Sequence, residues 1–373
     1  MRAAVLHAIG LDGPYAESRP LAIEELTLDQ PGPGEVLVRI QAAGLCHSDL
    51  SVVNGTRPRP VPMALGHEGA GIVEEVGPGV SDLAPGDRVV TVFVPSCGTC
   101  APCAEGRPAL CEPGAVSNGA GTLVGGHTRL HRADGTQVAH HLGVSCFAEQ
   151  AVVHRRSLVK IDAELPPEQA ALFGCAVLTG VGAIVNTAAV RAGESVAIVG
   201  LGGVGLAALL GAVAAGARQI VALDLDPTKR DLALALGATD AFDAADPQVA
   251  EQVKRATGGG VEQSFEMAGA IAALELAYAV TRRGGTTTTA GLSHPDAAMA
   301  LQHLSLVAEE RTLRGSYIGG AVPIRDVPRY IELFRRGRLP VDRLLSSVRP
   351  LSQINEAMDD LHAGRVVRQV LVP

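Results

Sequence analysis

Ser195-Val-Ala-Ile-Val-Gly-Leu-Gly-Gly-Val-Gly205 is the stretch that decides the fold. Its first five residues read as a strand buried on both faces, and the apolar run Val204 to Ala215 reads as a helix. The turn between them carries Gly200, Gly202, Gly203 and Gly205, so the backbone can approach a pyrophosphate at the positive end of the helix. Downstream, Gln219-Ile-Val-Ala-Leu223 is the next strand, and Pro227 to Leu236 a helix ended by Gly237. Strand, helix, strand, helix predicts a parallel sheet with right-handed crossovers. Asp224 closes the second strand, near the spacing of a ribose-binding acid. A carboxylate there binds ribose hydroxyls and repels a 2′-phosphate, which favours NAD over NADP. Lys229 and Arg230 on the next helix weaken that preference; Lys229 either reaches the ribose or is a solvated helix lysine.

Before about Leu178 the chain looks β-rich and irregular. Val36 to Ile40, Gly71 to Val76 and Arg88 to Phe93 are short strand candidates, punctuated by Pro31-Gly-Pro-Gly34 and Ala84-Pro-Gly-Asp87. Gly114 to Gly143, rich in Gly and His, reads as a long surface loop. Near the other end, Val327 to Arg336 and Ile354 to Ala363 read as helices and Val366 to Val372 as a strand, expected to pack on the first domain. No repeat is visible.

Composition excludes several classes. A net charge of −8 over 373 residues argues against sequence-independent nucleic-acid binding. No apolar run approaches the ~20 residues of a membrane span, and Met1 to Gly10 lacks the pattern of a secretory signal. The expectation is a cytoplasmic protein that binds neither nucleic acid nor membrane. Aromatics make up 3% and tryptophan is absent, which suits tight turns better than an aromatic binding face.

Four of the seven cysteines form Cys97-Gly-Thr-Cys100-Ala-Pro-Cys103 with Cys111. That spacing suits a tetrahedral structural zinc; a disulfide lobe is the competing reading, disfavoured in a reducing compartment. Cys46, Cys146 and Cys175 remain. Cys46-His47-Ser48-Asp49 and Gly66-His67-Glu68 are also dense in metal-binding side chains. A catalytic zinc needs three protein ligands and an open position. Cys46, His67 and Cys175 could supply them, but sequence separation does not decide it.

The whole chain resembles the zinc-dependent medium-chain alcohol dehydrogenases. Cys46-His-Ser-Asp49, Gly66-His-Glu-Gly-Ala-Gly71, Gly86-Asp-Arg-Val89, the four-cysteine lobe, Phe173-Gly-Cys-Ala176 and Gly200 to Gly205 follow that family's order and spacing. The segment from Cys111 to Phe147, with His140-His141-Leu-Gly, is most similar to the liver-type and glutathione-dependent formaldehyde dehydrogenase branches. The resemblance implies an α/β architecture: a β-rich GroES-like catalytic domain, 1–177 with a zinc lobe at 95–113, completed by 319–373. A Rossmann domain, doubly wound around a parallel sheet, then spans 178–318. It implies two zinc ions per chain, one held by Cys97, Cys100, Cys103 and Cys111, the other by Cys46, His67 and Cys175 with Glu68 behind it. Asp49 would orient His67. Ser48 would bond the substrate oxygen and start proton transfer. His47 and Arg368 would face the cofactor pyrophosphate, Thr179 and Val204 the nicotinamide, and Phe93, Phe147 and Leu292 the substrate. Cys146 matches no ligand position and is assigned to packing.

The site would activate an alcohol by lowering its hydroxyl pKa and direct a hydride to nicotinamide. Three departures stand out. Ser51 occupies a place where many relatives have histidine, so the proton relay is expected to run from Ser48 through the cofactor ribose to water. His47 replaces an arginine, which predicts looser pyrophosphate binding and faster NADH release. Asn54-Gly-Thr-Arg-Pro-Arg59 offers no carboxylate for a glutathione amine, so an apolar primary alcohol or aldehyde, aromatic or terpenoid, ranks above S-hydroxymethylglutathione. A non-enzymatic zinc or NAD sensor is the alternative of another class, and the intact ligand set weighs against it. A homodimer joined through Thr312 to Ile318 is also expected.

Overall fold

Residues 1–162 and 164–373 are described by a computed structural model. The chain divides into two compact units: Met1–Cys175 with Val322–Ile331 and Leu345–Pro373, and Ala176–Ala321 with Glu332–Leu344. The first boundary falls two residues before the expected one. The expected return of all of 319–373 to the first domain needs correction, because Glu332–Leu344 groups with the second unit.

The first unit is built on two sheets. One runs Leu158–Ile161, Arg88–Thr91, Glu68–Val76, Glu35–Leu45, Arg368–Val372, Leu345–Pro350, with Gln150–His154 also pairing Glu35–Leu45. Glu35–Leu45 is central because Val36, Val38, Ile40, Ala43 and Leu45 are all buried. The other runs Leu21–Glu25, Arg2–Leu6, Met63–Ala64, Gln137–His140, Leu130–His131, Thr27–Leu28.

That second sheet overturns the reading of Gly114 to Gly143 as a surface loop. Glu112–Ala120 is a helix, entered through Pro113 and closed by Gly121 at φ 70°. Leu130–His131 and Gln137–His140 are strands whose Leu130 and Val138 fill a small core with Val5 and Ala64. Strands of two and four residues are too short to display alternation.

The second unit is a six-stranded sheet in the order Asp240–Asp243, Gln219–Asp224, Ser195–Val199, Val261–Glu266, Thr281–Thr289, Thr312–Gly315. Every neighbouring pair is parallel. Ser195–Val199 is buried at all five positions, and helix Gly203–Ala215 follows it. Glycine is dictated at two points of the turn: Gly200 sits at φ 93°, and a Cβ on Gly205 would lie 1.8 Å from the Gly200 carbonyl. Thr312–Gly315 pairs on one side only and all four residues are exposed. No single helix among the described residues is long and apolar enough to cross a membrane.

Candidate metal centre and nucleotide turn

Strand Glu35–Leu45 delivers Cys46, which keeps extended backbone and starts helix His47–Val53. Asp49 caps that helix by accepting the Cys46 N–H through Oδ2 at 3.0 Å. Its other oxygen, Oδ1, lies 2.9 Å from Nδ1 of His67. A carboxylate can only accept, so Nδ1 donates and Nε2 is directed elsewhere. Gly66, at φ 95°, makes the turn before His67; a Cβ there would meet the Phe147 nitrogen at 2.4 Å. Cys175 follows the short helix Ala171–Gly174.

These segments bring Cys46, His67, Glu68 and Cys175 together, all buried, with one donor atom from each inside a 4.8 Å circle of mutual distances. His67 Nε2 and Glu68 Oε1 lie 3.6 Å apart, and neither has a hydrogen-bond partner. Buried polar atoms without partners are costly, so the cluster is shaped for something that satisfies them. Its charge agrees. A bond from Cys175 holds the Cys46 thiol well below its ordinary pKa, against the opposing effect of burial, and the same bond pushes Cys175 up. Burial would lower His67, yet the Asp49 carboxylate and Cys46 raise it well above its usual value. Two sulfurs and an imidazole, drawing positive charge into a closed pocket, fit a zinc ion.

Arg368 lies behind the cluster. It is buried, and its Nη2 donates to Oε2 of Glu68. Burial raises the Glu68 pKa to about 7, and Arg368 opposes the rise. The pair fills the space above Gly44, where a Cβ would lie 2.6 Å from Glu68 Oε2. Arg368, assigned by resemblance to the pyrophosphate, is thus placed against Glu68, with Nε buried and unpaired.

The lobe is a second cluster. Cys97, Cys100 and Cys103 are half-buried and Cys111 is buried, again with sulfurs within 4.8 Å of one another. Backbone N–H groups of Thr99 and Cys100 point at Cys97 Sγ from 3.4 and 3.3 Å, and those of Cys97 and Gly114 at Cys111 Sγ from 3.1 and 3.3 Å. The Thr99 and Cys100 N–H groups bring the Cys97 pKa down to about 6, while burial pushes Cys103 up to about 12. All seven cysteines are unbridged, which answers the disulfide reading. Backbone donors aimed at sulfur fit metal thiolates, so this donor set too suits zinc.

The remaining candidates separate. Phe93 stands edge-on to His67, ring centroids 5.2 Å apart. Phe147, expected near the substrate, is fully buried and belongs to the main core cluster of the first unit. Leu292 is 53% exposed in the second unit. Ser48 is half-buried in the first turn after Cys46 and His47 is exposed. Ser51 donates its hydroxyl to the His47 carbonyl at 2.8 Å. At the glycine turn, a Cβ on Gly202 would meet nothing within 4 Å, leaving open space beside the helix start. Gly203 and Val204 are half-buried in the first turn, Thr179 is buried on helix Ala176–Gly182, and Lys229 is half-buried. Asp224 accepts the Leu201 N–H at 2.6 Å and the Asp226 N–H at 2.9 Å. Arg230 is spent on the carbonyls of Asp224 and Leu225, at 2.8 and 3.0 Å.

Sequence reasoning missed His141. Its ring is buried, packs edge-on to His67 at 5.4 Å between centroids, and brings Nδ1 within 3.3 Å of the Asp49 oxygen that His67 uses. The apolar Leu142, Val144 and Phe147 around it were the available signal.

A thiol-rich buried pocket in one unit and a glycine-turn parallel sheet in the other define a metal-dependent dehydrogenase. Family models agree: the alcohol dehydrogenase GroES-like domain matches residues 32–163 and the zinc-binding dehydrogenase 203–336. The chain is 40% identical to putative alcohol dehydrogenase D of Mycobacterium tuberculosis, covering 96% of this chain and 98% of the relative. It is 39% identical to the NDMA-dependent alcohol dehydrogenase of Amycolatopsis methanolica, over 100% and 98%. The crystal structure of benzyl alcohol dehydrogenase from Acinetobacter calcoaceticus superposes with a TM-score of 0.93 at 31% identity, over 100% and 98%. The chain belongs to the zinc-dependent medium-chain alcohol dehydrogenase family and is an oxidoreductase of the alcohol dehydrogenase type.

Proposed function

We propose that this protein transfers hydride between an apolar primary alcohol or aldehyde and NAD. The observation that carries the reading is the buried quartet Cys46, His67, Glu68 and Cys175 with unsatisfied His67 Nε2 and Glu68 Oε1. Cys46, His67 and Cys175 would hold the catalytic zinc, and Cys97, Cys100, Cys103 and Cys111 the structural one. The chemistry a zinc ion supplies in the first of these sites is to acidify an alcohol hydroxyl or polarise a carbonyl.

The chain's own groups do the rest. Ser48, two residues from Cys46, bonds the substrate hydroxyl and takes its proton outward. The edge of Phe93 beside His67 gives the substrate an apolar wall, which supports an aromatic or otherwise apolar substrate and agrees with the benzyl alcohol activity in the name of one solved neighbour. Gly200 to Gly205 cradles a pyrophosphate at the start of helix Gly203–Ala215. Asp224 presents its carboxylate to the adenosine ribose, with Lys229 nearby, and Arg230, engaged with backbone carbonyls, is poorly placed to neutralise a 2′-phosphate. By the family resemblance, Thr179 and Val204 would serve the nicotinamide and His47 the pyrophosphate. Ser51, its hydroxyl bonded to the His47 carbonyl, would be a poor terminal base, so Ser48 would pass the proton on toward solvent without a histidine at the outer end. The exposed edge strand Thr312–Gly315 supports a homodimer, in which a second copy would pair its unused backbone groups.

One panel tests the reading. Alcohols and aldehydes are offered with NAD(H), with NADP(H) and with the NDMA named for one relative, and metal is counted in parallel. Two zinc ions per chain with NAD-linked turnover of benzyl-type alcohols is the expected result. Turnover with NADP alone, or with NDMA but no added NAD, would overturn the free-NAD assignment. Formaldehyde oxidised only in the presence of glutathione would overturn the substrate class.

A further inference from the structure

The Asp49 carboxylate is fully buried, yet it serves three neighbours. Oδ2 takes the backbone N–H of Cys46. Oδ1 is shared: His67 Nδ1 stands 2.9 Å from it and His141 Nδ1 3.3 Å. His141 Nδ1 is buried and without a hydrogen-bond partner; Asp49 Oδ1, 3.3 Å away, is the acceptor beside it, so a small shift of the ring would complete a bond there. A separation of 2.9 Å between Nδ1 and Oδ1 is that of a shared proton, which argues against a third metal at Asp49, His67 and His141.

The backbone just after His141 is strained. Leu142 and Ser145 sit at φ 52° and 54°, left-handed conformations that side-chain-bearing residues avoid, with Gly143 at 67° between them. The turn is tied down at both ends. Ser145 Oγ accepts the His141 N–H at 2.9 Å and donates to the Ala64 carbonyl at 2.8 Å. Cys146 and Phe147 N–H groups donate to the carbonyls of Gly66 and Leu65 at 3.1 and 3.0 Å. The strained turn is therefore stitched to the three residues that precede His67, which fixes the two imidazoles relative to one another.

We infer that His141 is a positioning residue for the metal centre, donating Nδ1–H to Asp49 so that the carboxylate holds the His67 ring plane and keeps His67 Nε2 aimed at the Cys46 and Cys175 sulfurs. The inference rests on the zinc reading of that cluster. With His141 removed, Asp49 keeps its bond to His67 but loses one of its two lateral restraints. The ring can then swing, and the metal is held less firmly. Loss of a group supporting a metal-ligating histidine typically costs about 10- to 100-fold in metal affinity.

The test uses purified holoprotein and follows zinc release to a colorimetric chelator, with the four-cysteine lobe as internal reference. His141→Leu removes the donor, His141→Asn restores an N–H near the Nδ1 position, and His141→Gln places its amide where Nε2 was. The inference expects one of the two zinc ions to leave at least tenfold faster in His141→Leu and His141→Gln. His141→Asn should stay within about threefold of the parent, and the lobe zinc should be unmoved in all three. With cobalt replacing the catalytic zinc, the visible ligand-field bands should shift in His141→Leu and return in His141→Asn. Equal release rates in the Leu and Asn variants, whether both slow or both fast, would overturn it, because the bond would then be immaterial or the ring merely filler. Should His141→Leu fail to fold, the contrast between Asn and Gln decides. A parent protein that binds zinc only in the lobe is a separate failure, of the zinc reading itself.

Discussion

The two cysteine-bearing clusters use the same element in opposite ways. In the lobe, four sulfurs lie within fifteen positions of one another, three of them half-exposed, and the bonds to sulfur come from the loop's own backbone. In the centre, four buried side chains arrive from three separate segments and are held by Asp49, Arg368 and the central sheet. A site made from local chain has no core behind it, so its metal must supply cohesion. A site made from a sheet is held before any metal arrives, which leaves the metal available for chemistry.

The contrast can be broken by experiment. The largest effect is expected in Cys46→Ala, where turnover should fall on the order of 10³-fold, equivalent to about 4 kcal/mol, with the lobe zinc retained. A fall in thermal stability as large as the loss of activity would erase the distinction. Cys103→Ala should do the converse: a melting temperature lower by about 10 °C, at roughly 2–4 °C per kcal/mol, with kcat per folded molecule within about threefold. If differential scanning calorimetry shows no drop, the lobe is not a structural clamp.

Arg368→Met sharpens the other half. Glu68 would be left buried without its partner, which should cost about 3 kcal/mol in a denaturant titration, and adding Glu68→Gln should recover most of it. The smallest effect is one of pH. Burial lowers the His140 pKa to about 3, and its Nε2 accepts the Arg129 N–H at 3.0 Å. Unfolded, the ring titrates near 6.5, so between those values the unfolded chain binds the extra proton and stability falls as pH falls. The buried region should therefore lose up to about 2 kcal/mol between pH 6.5 and 5 through this group. His140→Gln, whose amide oxygen can accept the same N–H, should flatten that limb; an unchanged pH dependence would assign the acid sensitivity elsewhere.

What the sequence disclosed follows the same division. The nucleotide turn was legible because strand, glycines and helix are contiguous, and Gly205 has no substitute where its Cβ would meet a carbonyl. The lobe was legible because its cysteines are neighbours. By contrast, Arg368 and Glu68 are 300 positions apart, and no local pattern couples them. The helix Glu112–Ala120 was hidden by its Pro, Gly and Ser content, and the strands after it by their shortness. The burial of Phe147 was not legible, because a lone aromatic in a β-rich stretch does not say which way it packs; here it belongs to the core cluster.

The pairing of Glu35–Leu45 with Arg368–Val372 also has a consequence for biosynthesis. Gln369, Val370 and Leu371 sit against Leu45, Gly44 and Ala43, so the middle of the first sheet is completed by late-made chain. At about 5–20 residues per second, the 300 positions between Glu68 and Arg368 take on the order of 15–60 s to translate. Late in that interval, once Thr312–Gly315 has been made, the parallel sheet of the second unit can form, whereas Glu68 still lacks Arg368. The nascent chain can thus complete its parallel-sheet unit before its first unit, whose middle sheet closes only after the Arg368 strand has been made.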